Sequence, residues 1–372
     1  MTLPEQQRSI PGTAPRLTLV LCSRNDQWQG NSLWRLETTL NYIALQAAEI
    51  GRLDEVEIIV SDWGSIETLR ESIKLTPEAM RIVRYLNVPP ALAKEKQRDS
   101  PFAEVFAINA AARRSRGDYI GRIDQDTLVG RRFLQWFFKA IETPITAFPI
   151  EKTVMIANRR RIPYDFAVRC LPFPIVRKYV DLFRDVLPRM WVPPEDRYWE
   201  CFIGILLMHR NLWSVAGGYD ESFIYYGHME INFFLRLLKK FQGADLSAIV
   251  GCDFYHLDHV PTWSILHNQK RLTNPLQSPD NPPPALCPND KSWGLADHEI
   301  PLLPPPGDAI NKQAINWRLS WTPRLVFETA RSTIITFFYR VDKIRAFLGR
   351  LSGKKLRVLV RQFVEQDARP KA

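Results

Sequence analysis

Two carboxylates stand two residues apart at the end of a short apolar run. Asp124 and Asp126 follow Tyr119 to Ile123 in the stretch GDYIGRIDQDTLVG. If this stretch is extended, side chains i and i+2 point the same way, and the two carboxylates repel each other unless a cation lies between them. The alternative is an ordinary surface turn, in which Asp is common. The pair is therefore a candidate site for a bound cation.

A second candidate is His256-Leu257-Asp258-His259, which follows another apolar run. Two histidines at positions i and i+3 can converge on one ion if the turn between them is helical or tight. Carboxylate oxygens combined with imidazole nitrogens suit Mn²⁺ best here, with Mg²⁺ as the second choice. We therefore expect His256, His259 and the Asp124/Asp126 pair to form one metal centre if the fold brings these distant segments together.

Glu230 is the third candidate, because it begins a predicted helix in the stretch EINFFLRLLKK. A carboxylate at this position can interact with the helix dipole alone, or it can act as a general base. The preceding loop, GGYDESFIYYGH, is long enough to line an acceptor pocket. Asp62 and the turn Ser23-Arg24-Asn25 also have two interpretations. Asp62 either binds the edge of a base or caps the helix that follows it. Ser23-Arg24-Asn25 either holds a diphosphate or forms a solvated turn.

The elements that must position these residues follow from the apolar periodicity. Strands are predicted at RLTLVLCS, VEIIVSDWGS, RIVRYLNV, YIGRID, CFIGILLMH and LSAIVGCDFYHLDH. Helices are predicted after an N-cap at Asn31, over residues 66–73, at FAEVFAINAAARRS and RRFLQWFFKAI, and from Glu230 to Gly243. This alternation predicts an α/β fold with a largely parallel sheet and helices on both faces. Ligands of such sheets bind beyond the carboxyl ends of the strands. Ser23-Arg24-Asn25, Asp62 and the Asp124/Asp126 pair all lie at these ends.

The composition limits the class of protein. The chain has 372 residues, of which 45% are hydrophobic and 24% charged, as in globular proteins. Its five cysteines are scattered without a CxxC pair, which argues against a disulfide framework and a structural zinc site. The first residues lack a signal-peptide pattern, and the apolar run from Cys201 to Met208 is too short to span a bilayer. We therefore expect a cytoplasmic protein.

The basic charge is concentrated in the tail. Residues 323–372 hold 12 Lys/Arg and 4 Asp/Glu, so that they carry +8 of the net charge of +10. This tail is either a helical surface that packs back on the α/β domain or a peripheral contact with an anionic membrane, which would place the protein at the inner membrane face. No nucleic-acid-binding signature accompanies the charge, and no nucleic-acid partner is expected. The predicted divisions are an N-terminal tail (1–15), an α/β domain (16–275), a Pro-rich connection (276–313) and a basic helical extension (314–372).

Five stretches, in their order along the chain, resemble motifs of one enzyme family. LVLCSRND, EIIVSDWGS, NAAARRSRGDYIGRIDQDT, GGYDESFIYYGHMEINFFLRL and YHLDH are similar to those of the GT-A glycosyltransferases of family 2, with a galactosyltransferase-type C-terminal motif. The resemblance covers residues 16–275 and implies the GT-A fold. It also implies inverting transfer of a sugar from a nucleotide-sugar, commonly a UDP-sugar, to a glycan or glycolipid acceptor.

The resemblance implies a role for each candidate residue. Asp62 would bind the nucleotide base, commonly uracil, and Asp124 would lie near the ribose and the metal. The turn Ser23-Arg24-Asn25 would lie against the nucleotide. The metal ligands implied are Asp126, His256 and His259.

On the acceptor side, the resemblance implies that Glu230 is the catalytic base and that Tyr226 helps to shape the acceptor site. Two positions depart from the family. Met229 stands where the family usually has a glutamate, and Glu230 is one methylene longer than the usual aspartate. A lost hydrogen bond to the acceptor or a different acceptor would explain these departures.

Two other classes of protein remain as alternatives. A nucleotidyltransferase would normally carry a Gly-rich phosphate loop near its first strand, and CSRNDQWQGNS is a poor match to one. A catalytically degenerate nucleotide-sugar-binding module would be consistent with Met229. The intact Asp-Gln-Asp and His-Leu-Asp-His sequences weigh against that module.

Overall fold

The computed structural model describes residues 14–143, 149–190, 204–259 and 272–307. The strands in these ranges are β1 Leu17–Ser23, β2 Val56–Trp63, β3 Val83–Val88, β4 Tyr119–Arg122, β5 Thr127–Val129, β6 Thr153–Ala157, β7 Arg160–Ile162, β8 Ile205–His209, β9 Gln242–Asp245, β10 Phe254–Leu257 and β11 Leu302–Leu303. The helices are α1 Ser32–Glu49, α2 Leu69–Ser72, α3 Pro77–Ile82, α4 Pro90–Gln97, α5 Glu104–Arg113, α6 Arg131–Glu142, α7 Tyr164–Ala167, α8 Phe173–Phe183, α9 Arg210–Ala216, α10 Met229–Leu238 and α11 Leu246–Val250. Two short 3₁₀ helices cover Leu53–Glu55 and Ile150–Lys152.

An eight-stranded sheet in the order β11-β3-β2-β1-β4-β8-β6-β9 forms the centre of the described structure. Its neighbours β3, β2, β1 and β4 are parallel, as are β6 and β9. Strand β8 is antiparallel to β4 and β6, and β11 is antiparallel to β3. A second sheet has the order β5-β10-β7. The predicted α/β class with a largely parallel sheet is confirmed.

Helices cover both faces of the central sheet, because alternate side chains of a buried strand point to opposite sides. Leu17, Leu19 and Leu21 of β1 pack with side chains of α1 and α6 on one face. Val20 packs with side chains of α5 and α10 on the other. The register places Ser23 beside Asp62 in the parallel β1–β2 pair, so that the carboxyl ends of these strands meet at one edge.

Three predicted elements differ from the structure. LSAIVGCDFYHLDH is not one strand, because Asp245 caps α11 by accepting the N–H of Ser247 at 2.8 Å, and Gly251 leaves the helix with φ 71°. Only Phe254–Leu257 is extended. The helix from Glu230 ends at Leu238, since Gln242–Asp245 pairs with β6 as strand β9.

The helix predicted over residues 66–73 is reduced to Leu69–Ser72, and Ile66 is almost fully exposed. Asn31 precedes α1 as predicted, but its left-handed backbone (φ 54°) leaves its side chain without a capping hydrogen bond.

The described part of the Pro-rich connection packs against the α/β body. Its strand β11 pairs with β3, which adds an edge to the central sheet. The Arg114 guanidinium, just after α5, donates to four carbonyl oxygens of this segment. They are those of Gly294, Leu295, His298 and Ile300, at 2.8–3.1 Å. This segment, residues 289–303, is called the strap below.

Parts of the predicted organisation fall outside the described residues. They include most of the N-terminal tail (1–15), the end of the Pro-rich connection and the basic extension (314–372). Among the described helices, none is both long enough and apolar enough to cross a membrane.

Candidate active site

Asp124 and Asp126 lie in a loop between β4 and β5. Strand β4 ends at Arg122, and the N–H of Thr127 donates to the Asp124 carbonyl at 3.1 Å, which closes a turn. The expectation that the two carboxylates share one face of a strand is therefore wrong. The two side chains share one partner, Arg159, and each also has a partner of its own, which is Arg122 for Asp124 and Arg35 for Asp126.

The cation between the two carboxylates is a guanidinium. Nη1 of Arg159 contacts Asp124 and lies 4.0 Å from Oδ1 of Asp126. Arg122 also pairs with Asp124, at 2.6 Å. Burial raises the pKa of the Asp124 carboxyl, but the charges of Arg122 and Arg159 outweigh it and hold that pKa below its usual range. An arginine thus relieves the repulsion that the sequence implies.

Asp126, His256 and His259 lie together, although Asp126 and His256 are 130 positions apart in the chain. The antiparallel pairing of β5 with β10 places Thr127 opposite His256, which brings the two segments together. Oδ1 of Asp126 is 3.0 Å from His256 Nδ1, and Oδ2 is 3.3 Å from His259 Nε2. One potential ligand atom from each residue lies within 4.8 Å of the others.

The protonation of this cluster suits a divalent ion. Burial by itself raises the pKa of the Asp126 carboxyl, but the charges and hydrogen bonds of His256 and His259 outweigh it, and the pKa lies well below its usual range. Burial, together with the nearby Arg159, lowers the pKa of His256 to about 4. An ionised carboxylate and a neutral imidazole are the forms that bind a metal, so the donor set fits one.

Arg35, on α1, binds the same carboxylate from another side. Its Nη1 lies 2.5 Å from Oδ2 of Asp126, and its side chain is 1% exposed. Its Nη2 donates to the carbonyl oxygens of Trp28 at 2.7 Å and Gly30 at 3.2 Å. A carboxylate oxygen has two lone pairs, so Asp126 can accept from Arg35 and still offer ligand atoms to an ion. Arg35 thus orients Asp126 and offsets its charge.

Glu230 belongs to a neighbouring cluster around Arg122. Its Oε1 lies 2.9 Å from Nη2 of Arg122, which also pairs with Asp124 and Glu104. Met229, the first residue of α10, is buried in an apolar cluster. Glu230 follows it and is the acidic residue in the first turn of this helix. Because Asp124 also contacts Arg159, a chain of ion pairs leads from Glu230 to Asp126.

Ser23 and Arg24 follow β1 and are held by local contacts. The Ser23 hydroxyl donates to the side-chain oxygen of Gln125, which links the end of β1 to the carboxylate loop. Arg24 pairs with Asp26 at 2.6 Å and donates to the carbonyl oxygen of Pro101 at 2.9 Å. Their role in binding a nucleotide stays a prediction.

Asn25 and Asp62 meet at Ser65. The Asn25 N–H donates to the Ser65 hydroxyl at 2.8 Å, and that hydroxyl donates to Oδ1 of Asp62. Oδ2 of Asp62 accepts the N–H of Leu69 at 2.8 Å, so Asp62 caps α2, one of the two roles considered from the sequence. Burial raises the pKa of Asp62, opposed by these hydrogen bonds. Binding of a nucleotide base by Asp62 stays a prediction.

Tyr226 lies in the loop before α10 and is 46% exposed. Asn274 orders this loop, because its N–H donates to the Tyr226 carbonyl at 3.1 Å and its side-chain amide donates to the carbonyls of Tyr225 and Gly227. An exposed aromatic residue on an ordered loop can contact an acceptor, a role that stays a prediction.

The sequence analysis missed the charged partners of the acidic residues, which are Arg35, Glu104, Arg122 and Arg159. Arg122 carried a signal, since a guanidinium within the buried run YIGRI must find carboxylates. Glu104 begins a helix and is easily explained by the helix dipole alone. Arg159 is the first of three consecutive arginines, and their order does not tell which one faces the site.

The chain was compared with known proteins. No protein-family model matches it, and no curated protein matches it. Among solved structures, it is similar to S. aureus TarS residues 1–349, with 13% identity over 65% of this chain and 60% of that chain and a TM-score of 0.41. It is also similar to the catalytic domain of Drosophila β1,4-galactosyltransferase 7 in complex with xylobiose, with 13% identity over 70% of this chain and 76% of that chain and a TM-score of 0.35. The chain thus spans 60% of the length of the TarS structure. These similarities assign neither a family nor an activity to this chain.

Proposed function

We propose that this protein is a metal-dependent inverting glycosyltransferase with a GT-A fold. Its donor would be a nucleotide-sugar, with UDP-sugars as the first candidates, and its acceptor a glycan or glycolipid. The observation that carries this proposal is the convergence of Asp126, His256 and His259, with potential ligand atoms within 4.8 Å of one another. The cluster lies next to the carboxyl end of β4, where ligands of parallel sheets bind.

The metal would be held by Asp126, His256 and His259, with Mn²⁺ as the first candidate and Mg²⁺ as the second. A bound divalent ion supplies positive charge that stabilises a nucleoside diphosphate leaving group. Arg35 orients Asp126, and Arg35 and Arg159 offset its negative charge. The predicted nucleotide contacts are Ser23, Arg24, Asn25, Asp62 and Asp124.

Glu230 would act as the general base. The acceptor hydroxyl oxygen attacks the anomeric carbon while its proton passes to a Glu230 oxygen. The bond between the anomeric carbon and the diphosphate oxygen breaks on the opposite face, so that the configuration inverts and the nucleoside diphosphate leaves. Arg122, 2.9 Å from Glu230, fixes the position of the base. Tyr226 would contact the acceptor.

A panel of UDP-sugars tests this function. We expect release of UDP from at least one of them, loss of that activity on addition of a chelator, and recovery with Mn²⁺. Glu230→Gln should retain donor binding in calorimetry but lose transfer, since it keeps the shape of the side chain and removes the base. Nuclear magnetic resonance of the product should show the inverted anomeric configuration. Turnover that is indifferent to the chelator would refute the metal assignment.

The second candidate function is a nucleotide-sugar-binding module without catalysis. The buried Arg35–Asp126 pair favours it, because a guanidinium already supplies positive charge to that carboxylate. Such a module would bind UDP with equal affinity in the presence of Mn²⁺ or a chelator, and it would not turn over any sugar of the panel. Calorimetry with UDP under both conditions separates the two functions.

A further inference from the structure

Three carboxylates meet at one buried guanidinium. Nη2 of Arg122 lies 2.9 Å from Glu230 and 2.6 Å from Asp124, and it also contacts Glu104. The Arg122 side chain is 5% exposed, while those of Glu104 and Glu230 are 27% and 15% exposed. Arg122 itself contributes only one positive charge, so three ionised carboxylates at its Nη2 would leave excess negative charge.

The three carboxylates come from different parts of the fold. Glu104 begins α5, Glu230 is the second residue of α10, and Asp124 follows β4. Asp124 has a second guanidinium partner in Arg159. Glu104 and Glu230 both pair with Arg122, so the two compete for one charge. A change in the charge of Glu104 therefore changes the electrostatic interaction of the Glu230 carboxylate with Arg122.

We infer that Glu104 is a positioning residue of the proposed transferase, which controls through Arg122 how tightly the Glu230 carboxylate is held. When Glu104 is ionised, it shares the positive charge of Arg122, so that less of this charge binds the Glu230 carboxylate. When Glu104 is protonated, Arg122 is left to Glu230 and Asp124, and it holds the Glu230 carboxylate more tightly. This inference rests on the proposed function.

The surroundings of Glu104 place this change near neutral pH. Burial raises the pKa of Glu104 to about 7, an effect that Glu230 and Asp124 increase and Arg122 opposes. The titratable and charged groups that face it come from three elements (β1, β4 and α10) and two loops. They are Arg122, Asp124, Glu230, Cys22 and Tyr219.

The first test is the pH dependence of transfer in Glu104→Gln, which keeps an oxygen for Arg122 but cannot ionise. We expect the wild-type rate to rise through about pH 7 and the variant to lack this rise. At about pH 8 the variant should be slower by roughly three- to tenfold, with an unchanged KM for the donor. Glu95→Gln, which removes an exposed carboxylate on α4, should keep the wild-type profile. An unchanged profile in Glu104→Gln overturns the inference.

The second test needs no activity. The infrared band of a protonated carboxyl, isolated as the difference between wild type and Glu104→Gln, should titrate near pH 7. In Glu230→Gln the midpoint of this titration should move to lower pH, because one repelling charge is gone. A band that titrates at the ordinary value of glutamate, or does not move in Glu230→Gln, overturns the inference. If no UDP-sugar is turned over, the proposed function fails, and this spectroscopic result still decides whether Glu104 and Glu230 are coupled.

Discussion

At the scale of single residues, the acidic site is defined by its basic partners. Asp126 is nearly inaccessible to water and touches Arg35, His256 and His259. Removing such a partner destabilises the folded protein, because the ion pair no longer compensates the cost of burying the charged carboxylate. Arg35 therefore has two effects that can be separated. It stabilises the fold, and its positive charge, although it leaves ligand atoms of Asp126 open, would compete with the charge of a bound metal ion.

Arg35→Gln separates the two effects. In metal-free buffer we expect its free energy of unfolding to fall by about 3–5 kcal/mol, because Asp126 stays buried with one partner fewer. Added Mn²⁺ should then raise the melting temperature of Arg35→Gln more than that of wild type, since the competing cation is gone. The control is Arg16→Gln, whose partner Asp118 is half-exposed, and it should lose less than about 1 kcal/mol. An equal effect of Mn²⁺ on Arg35→Gln and wild type would contradict the competition.

Asp126→Asn tests the metal site directly. Calorimetric titration with Mn²⁺ should show one binding site in wild type and a loss of affinity of about 10-fold or more in the variant, since the anionic ligand is removed. Asp118→Asn is the matched control, because Asp118 precedes β4 at the opposite end of the strand and pairs with Arg16 at 3.0 Å. If both variants bind Mn²⁺ as wild type does, the ion is not held by this cluster.

Glu104 makes stability depend on pH. Its pKa is raised from 4.5 to about 7, so the folded chain holds a proton that the unfolded chain has released between these values. The free energy of unfolding therefore falls as pH rises through this window. Glu104→Gln cannot ionise in either state, and its stability relative to wild type should increase by on the order of 2 kcal/mol between about pH 5 and about pH 8. Urea denaturation across this range measures the difference, and a pH-independent difference would contradict the raised pKa.

Among the elements, the strap (residues 289–303) is joined to α5, which carries Glu104, and to the edge of the central sheet at β3. Arg114 lies directly after α5, whose first residue is Glu104, and its guanidinium donates to four strap carbonyls. Strand β11 extends the same sheet through β3. Backbone carbonyls without a partner are costly when buried, so a single arginine that satisfies four of them holds an otherwise irregular segment.

Arg114→Gln should loosen the strap. Hydrogen bonds to a charged donor contribute about 1.5–3 kcal/mol each, and most of this contribution is lost with the guanidinium. We expect faster amide hydrogen exchange over residues 289–303, measured by mass spectrometry. Arg70→Gln is the control, because Arg70 makes one exposed hydrogen bond, to the Pro304 carbonyl at 2.7 Å. Exchange that is the same in both variants would show that Arg114 does not hold the strap.

At the scale of the whole molecule, the charge is divided between two parts of the chain. The last 50 residues carry +8 of the net charge of +10. A glycolipid acceptor would be reached more easily by a protein whose basic tail binds an anionic membrane. The helical structure of the basic extension remains a prediction. So do its contact with a membrane and the cytoplasmic location at the inner membrane face.

Sedimentation with anionic vesicles tests the tail. We expect the full chain to co-sediment at low salt, a chain ending at residue 322 to stay in the supernatant, and added salt to release the full chain. Vesicles of neutral lipid serve as the control. Equal sedimentation of the two chains would mean that the tail does not bind the membrane.

The sequence by itself determined the α/β class and the edge of the sheet where the candidates lie. Both follow from local periodicity, because a buried strand and an amphipathic helix each leave a regular apolar pattern. The predicted secondary structure is wrong where a cap or a strand pairing overrides that pattern. Asp245 caps α11 within a predicted strand, and Gln242–Asp245 pairs with β6 where a helix was predicted to end. Residue types and spacing also predicted a metal centre of His256, His259 and the Asp124/Asp126 pair, and the family resemblance implied Asp126, His256 and His259 as its ligands.

Which charges meet could be seen only in the folded molecule. Arg159 rather than Arg160 faces Asp124, and Arg122 joins Glu104 to Glu230 across α5, β4 and α10. The physical reason is that a buried charge takes its partner from whatever the strand register and helix packing bring within a few ångströms. No local pattern in the chain records those long-range neighbours, although they shift the pKa values of Glu104, Asp124 and Asp126.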